Sequence, residues 1–460
     1  MRLRNTPRPA PRQALTSPYV GILLEDQDPN DFGINSGRRA GELALGGPHT
    51  LLVGGTGQGK GRRVLMQNIL MWGGNPVVAM STSGDLAEGT IRKRAARGPV
   101  YLLDLSGEVR EEELQGIGVT RVISDPCALV TNDDEAKMMA DLLLATGDGG
   151  GDGDSIWKQL ASRPLAALLR AGGVLPHAET GEDVWGGGIN WVLRALDRVT
   201  AMEGEEDDLS APSWDSAYLR AYGLLDCRHA GSLRAAQGMD PRQRDSVAIN
   251  IRSALDPWTL STVAGDGFVA PFLPAMLEQP GATLYVVSPM DGSAAGAATA
   301  VIEQAIQHWR QRIGQLPTLG LFLDEVANCA PLPKLASHIA VLRKYRVRLV
   351  AAVQTVIQLK RVWGEVGMEE MTRTFPSVLL LPATPDREAL DLAAWAAGES
   401  ERSTSSIDAQ GRVSRSSEKN ERFGSAELLP TRKGTARLLI SGGPGVMVSL
   451  PDIAETDLQD

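Results

Sequence analysis

Lys60 closes the run Gly54-Gly55-Thr56-Gly57-Gln58-Gly59-Lys60-Gly61, and the spacing G-x-x-x-x-G-K is that of a loop built to hold phosphate. Gly55, Gly57 and Gly59 carry no Cβ, so backbone N–H groups can turn inward toward phosphate oxygens. Lys60 adds a point charge for the outer phosphates, and the start of a helix adds its partial positive charge. The loop follows the apolar run Leu51-Leu52-Val53 and opens a helical pattern with Leu65, Ile69 and Trp72 on one face. A glycine-rich turn with a chance lysine has no reason to sit between a strand and a helix in that order. The expected ligand is a nucleoside triphosphate with Mg2+. One departure stands out: Gly61 replaces the Ser or Thr whose hydroxyl ordinarily ligates magnesium.

A carboxylate must then come from elsewhere, and Leu319-Gly320-Leu321-Phe322-Leu323-Asp324-Glu325 is an apolar run that ends in two acids. Asp324 is expected to hold the magnesium shell, and Glu325 to orient or deprotonate the attacking water. Two acids after a strand can also be a solvated turn; the presence of the phosphate loop favours the catalytic reading. A third run, Arg346 to Gln354, reads as another buried strand with Gln354 at its tip. In an open parallel sheet ligands gather beyond the carboxyl ends of the strands, which would put Gln354 near the terminal phosphate as a sensor. The bland alternative is a turn former.

The elements that must position these groups read as α/β. Val77 to Met80, Val100 to Asp104, Thr283 to Val287 and Val378 to Leu381 are short apolar strand candidates separated by helical patterns. Leu438 to Ile440 and Val446 to Val448 read as a closing hairpin across a Ser-Gly-Gly-Pro-Gly turn. Between Pro126 and Pro280 the pattern is helical, broken by Gly- and Asp-rich loops. The glycine-aspartate run 146–154 lacks calcium-loop ligand spacing and reads as a linker, and Glu203 to Asp208 as a solvated loop. Residues 398–420 read as a polar loop or flexible hairpin. The predicted organisation is an N-terminal arm over 1–45, nucleotide-binding segments over 46–125 and 281–460, and an all-α insertion over 126–280.

At 460 residues, 43% of them hydrophobic and 22% charged, the chain has the make-up of a soluble protein of two or three domains. Its net charge of −10 does not advertise nucleic-acid binding over the whole surface. Basic residues cluster instead, at Arg2, Arg4, Arg8 and Arg12, at Arg92-Lys93-Arg94, and at Arg343-Lys344 with Arg346 and Arg348. Most such clusters are solvated faces, but a translocase with its positive charge confined to a pore shows the same pattern. Three cysteines without metal-ligand spacing suit a reducing compartment. No run reaches the length of a membrane-spanning helix, and no signal peptide opens the chain.

The loop at 54–61 resembles that of the type IV secretion coupling proteins, the TraG/TraD family of conjugative ATPases. Leu323-Asp324-Glu325-Val326-Ala327-Asn328-Cys329-Ala330-Pro331-Leu332-Pro333 is similar to the second nucleotide motif of its actinobacterial members. Arg343-Lys344-Tyr345, the strand to Gln354 and Trp363-Gly364 continue the likeness, which covers about 50–125 and 280–450. The resemblance implies a P-loop NTPase with a RecA-like parallel-sheet motor domain interrupted by an all-α domain. It implies a homo-hexamer when active, driving DNA, through a relaxase complex, and protein substrates into a secretion channel. Arg343 matches the arginine finger given in trans, with Arg346 as the fallback. The insertion over 155–280 would face the substrate. Members usually carry transmembrane helices; here either docking to a membrane-anchored partner or removal of an anchor is expected, with a peripheral place at the cytoplasmic face and monomers in isolation because shared sites need concentration. Asp104-Leu105-Ser106-Gly107-Glu108 stands where the family has Lys-Gly-Glu. Two other readings stay open, a general DNA translocase of the FtsK/HerA type and a nucleotide-binding scaffold without turnover.

Overall fold

A computed structural model describes residues 14–26, 39–147, 155–177, 180–265, 267–382, 386–396, 398–407, 413–421, 423–440 and 445–456. The basic arm Arg2 to Arg12, residues 148–154 of the glycine-aspartate run and the turn residues 441–444 lie outside them. Two compact units emerge: Met1–Ala79 with Pro317–Ala327 and Lys334–Asp460, and Met80–Leu316 with Asn328–Pro333. The chain passes from the first to the second within the strand Val77–Ser81.

In the first unit, four parallel strands lie in the order Ser377–Leu380, His49–Val53, Val347–Val353, Leu319–Leu323. Every residue of His49–Val53 and of Leu319–Leu323 is buried, as expected of parallel strands covered on both faces. The helix after the phosphate loop supplies part of that cover. Trp72 packs edge-on against Phe322, ring centroids 5.3 Å apart, and its indole N–H donates to the Thr318 carbonyl at 3.1 Å.

The sheet continues antiparallel beyond Ser377–Leu380 through Thr435–Ile440, Val446–Ser449, Tyr19–Leu23 and Leu43–Leu45. The closing hairpin therefore forms, with Leu438 opposite Val446. The expected arm over 1–45, by contrast, contains two strands. Tyr19–Leu23 finds its partners at Val448 and Ser449, more than four hundred residues on, and no local pattern announces that. It is pinned by Asn68, whose side chain accepts from Tyr19 N–H at 2.7 Å and donates to the Tyr19 carbonyl at 2.9 Å. The polar stretch near 398–420 forms two antiparallel nine-residue strands, Glu399–Ile407 and Val413–Glu421.

The second unit carries the parallel strands Thr283–Val287, Val100–Asp104 and Val119–Arg121. Its helical part is built around Ser155–Gly172, in which Leu165 to Leu169 are buried. Asn132, Ser213 and Asp240 cap the starts of neighbouring helices through their side chains. The region expected to be wholly helical also holds a short hairpin, Val174–Pro176 against Asp183–Trp185. Three-residue strands are too short to show a period. The cluster Arg92-Lys93-Arg94 is not one solvated face: Arg94 is fully buried, donating to the Thr283 hydroxyl and the Gly281 carbonyl. No helix among the described residues is long and apolar enough to cross a membrane.

Candidate nucleotide site

Strand register sets the site. In the first unit Val53 is level with Val353, and Leu323 with Ala351, so Gly54, Asp324, Glu325 and Gln354 all leave the sheet at the same carboxyl edge. The loop then turns over the start of the helix. Gly54 passes so close to the neighbouring strand end that a Cβ there would lie 2.5 Å from Leu381 Cδ1. Gly59 takes a left-handed φ of 96°, which bends the chain into the first helical turn. Gly57 has open space beside it and a Cβ on Gly55 would meet Gln58 Cγ at 3.9 Å, while Thr56 is exposed and Gln58 half-buried. At Gly54 and Gly59, by contrast, an added Cβ would crowd the loop, at Gly59 lying 2.7 Å from Arg63 Cδ.

Lys60 is buried. Its Nζ donates to the Gly54 carbonyl at 2.9 Å and to Glu325 Oε1 at 2.6 Å. That ion pair joins residues 265 positions apart, with both side chains under one-tenth exposed. Glu325 Oε2 is buried with no hydrogen-bond partner among the described residues, and the residue itself sits at a left-handed φ of 47°. A non-glycine residue holds such a backbone only where its surroundings over-determine it, commonly at functional sites. Asp324 Oδ1 accepts the Glu325 N–H at 3.0 Å, which fixes the turn presenting both acids. The donor set therefore fits a magnesium triphosphate: a buried ammonium, two carboxylates with one orphaned oxygen, and a glycine cradle. Gly61 lies in the first turn of the helix and brings no hydroxyl.

The loop beyond Gln354 is tied down. Gln354 N–H donates to Gln358 Oε1 at 2.8 Å, and Val356 N–H to Asp386 Oδ2 at 2.5 Å. Asp386 also accepts from Ala389 N–H, and its burial pushes the carboxyl's pKa up. Sequence reasoning passed over Asp386, since an aspartate before a helix reads only as a cap.

Arg343 is not brought to this edge. It lies in the turn Leu342–Tyr345, before the seven-residue strand Val347–Val353, exposed at the opposite end. At about 3.3 Å per residue the strand puts roughly 23 Å between Arg343 and Gln354. His49, at the start of the loop strand, marks the same end: burial, then the charges of Arg348 and Arg343, pushes its pKa down to about 3. Arg346 shares that end, and Arg348 is half-buried with its Nε donating to the Thr16 carbonyl. In the second unit Asp104 holds its own loop, accepting from the N–H groups of Ser106, Gly107 and Val109 and from the Ser106 hydroxyl. That is a structural task.

A Gly54→Ala substitution forces Leu381 and the loop apart. The expected cost is about 1–3 kcal/mol of stability, read by urea unfolding. An unchanged midpoint would show that the loop is not seated against Leu381.

Residues 20–430 match the sequence profile of a family described as Type IV secretory system Conjugative DNA transfer. Among solved structures, the unbound bacterial conjugative coupling protein TrwBdeltaN70 superimposes with a TM-score of 0.62 at 18% identity, covering 90% of this chain and 86% of that one. Plasmid coupling protein TrwB in complex with ADP and Mg2+ gives 0.56 at 17%, covering 88% and 85%. VirB4 of Thermoanaerobacter pseudethanolicus gives 0.50 at 13%, covering 94% and 96%. At these identities the likeness is one of fold, and it establishes the α/β P-loop architecture. A comparison with curated proteins found no significant match.

Proposed function

This chain belongs to the type IV secretory system conjugative DNA transfer family, and we propose that it acts there as an ATP-driven coupling protein. In that role it recruits relaxase-linked DNA, protein substrates, or both, and drives them into a secretion channel. The observation that carries the ATPase reading is the buried contact of Lys60 with Glu325 beneath the glycine loop. The TrwB structure holding ADP and Mg2+ supports the same ligand pair here.

Gly54 to Gly61 cradle the phosphates, and Lys60 turns from Glu325 to the outer phosphate oxygens. The carboxylate released in that exchange, with its orphaned Oε2, orients the attacking water and takes its proton. Asp324 would hold the shell of a magnesium ion, which would supply charge neutralisation at the phosphates; Gly61 would bring no hydroxyl to it. Gln354, fixed at its backbone by Gln358, senses the terminal phosphate. Arg343 belongs to the site of a neighbouring copy, an arrangement that a homo-hexameric ring would supply. The helical region 155–280 faces the substrate, and the protein works at the cytoplasmic face of the membrane with an anchored partner.

Steady-state ATP hydrolysis with Mg2+, with and without single- and double-stranded DNA, tests this. DNA-stimulated turnover that disappears in Lys60→Ala is the expected result. Nucleotide binding with no turnover, at concentrations that favour a ring, would instead identify a scaffold.

A further inference from the structure

Just past Lys60 the helix is held from outside by the last described stretch of the chain. Arg62 bonds both oxygens of Asp452, at 2.6 and 3.1 Å, and holds that carboxyl below the usual carboxylate range. Arg63 donates to the Leu450 carbonyl and lies 3.9 Å from Asp452. One and a half turns on, Gln67 Nε2 donates to Thr456 Oγ1 at 2.5 Å. Asp452 in turn caps the short helix Ile453–Glu455, accepting from Ala454 N–H. Three side chains of one helix are thereby bound to a segment about 390 residues away.

The path of Arg63 links this segment to the phosphate loop. A Cβ on Gly59 would lie 2.7 Å from Arg63 Cδ, and one on Gly434 would lie 3.2 Å from Arg63 Nη1. The side chain therefore runs in a slot between two glycines. One wall of that slot is the residue immediately before Lys60. Moving Leu450 or Asp452 moves Arg63, and Arg63 is in direct contact with the loop.

We infer that Leu450–Thr456 is a strap that positions the phosphate loop, with Arg62, Arg63 and Asp452 as positioning residues for nucleotide binding. This rests on the nucleotide-site reading above. It adds a control of the loop by the C-terminal segment that the motif residues themselves do not contain.

Asp452→Asn is the informative variant, because asparagine caps a helix as well as aspartate does, while the charge and one of the two acceptors used by Arg62 are lost. The wild type, Arg62→Gln, Asp452→Asn and the double variant are compared by titration with a fluorescent ADP analogue and by hydrogen exchange of residues 54–65. Each single variant should raise Kd about fivefold, the upper end of what an exposed, bidentate ion pair contributes. The double variant should be no worse than either single one, because the two groups act as a unit. Exchange in 54–65 should quicken in all three, while the distant helix Pro241–Leu255 is unaffected. Arg63→Met, which keeps the stem in the slot and loses the bond to Leu450, should quicken it too.

Unchanged exchange in 54–65, or Kd values within about twofold of wild type, overturns the strap. Multiplicative losses in the double variant overturn the pairing of Arg62 with Asp452. A wild type that binds no nucleotide sinks the nucleotide-site reading instead, and exchange then still decides whether the segment holds the loop.

Discussion

Glu325→Gln is expected to lower kcat by about a hundredfold or more while binding ATP more tightly than the wild type. The first effect follows from losing the base. The second follows from the ion pair: in the wild type, Lys60 must leave a carboxylate 2.6 Å away before it can serve a phosphate. Gln offers Lys60 an acceptor but no charge, and a buried ammonium without a counter-charge is strained by several kcal/mol. Phosphate relieves that strain, so affinity for the triphosphate rises. Isothermal titration beside single-turnover hydrolysis separates the two. A kcat that falls with Kd unchanged would mean that Glu325 is a base but not a competitor for Lys60. A kcat left near the wild-type value would remove Glu325 from the chemistry altogether.

Arg343→Ala is expected to lower kcat about a thousandfold, the usual worth of an arginine finger, with little change in nucleotide affinity. The geometry makes a sharper forecast. Arg343 lies at the opposite strand end from Lys60, so no one copy can bring both to one phosphate group without unfolding the strand Val347–Val353. Lys60→Ala and Arg343→Ala chains, each inactive alone, should therefore recover activity when mixed. Sites assembled from an intact Lys60 of one copy and an intact Arg343 of the other would account for it. Absence of recovery under ring-forming conditions, with each variant folded, would return Arg343 to the surface charges.

Which parts were legible in the sequence follows from how local each signal is. The phosphate loop is a dense local pattern, and its strand and helix flank it directly. The apolar runs ending at Asp324 and Gln354 announced themselves because a parallel strand covered on both faces is continuously apolar. The closing hairpin was legible for a similar reason, two short strands about a turn. The strand Tyr19–Leu23 was not, since its pairing is with Val448 and Ser449 and its anchor is Asn68. Arg94 read as one of three surface cations, yet it is buried against the start of the strand Thr283–Val287. Asp104 occupied a motif-like place and proved to hold its own turn.

The sequence by itself determined the candidate groups: a glycine loop with Lys60, two acids at a strand tip and a polar strand end, each specified within a dozen residues. Tertiary structure alone decided how those groups meet. Parallel register places Gly54, Asp324, Glu325 and Gln354 on one edge and Arg343 on the other, and it closes the 265-residue gap between Lys60 and Glu325. It also brings Asp452 onto Arg62. The physical reason is that backbone preference and hydrophobic period act over a few residues, whereas register is settled by the packing of a whole sheet.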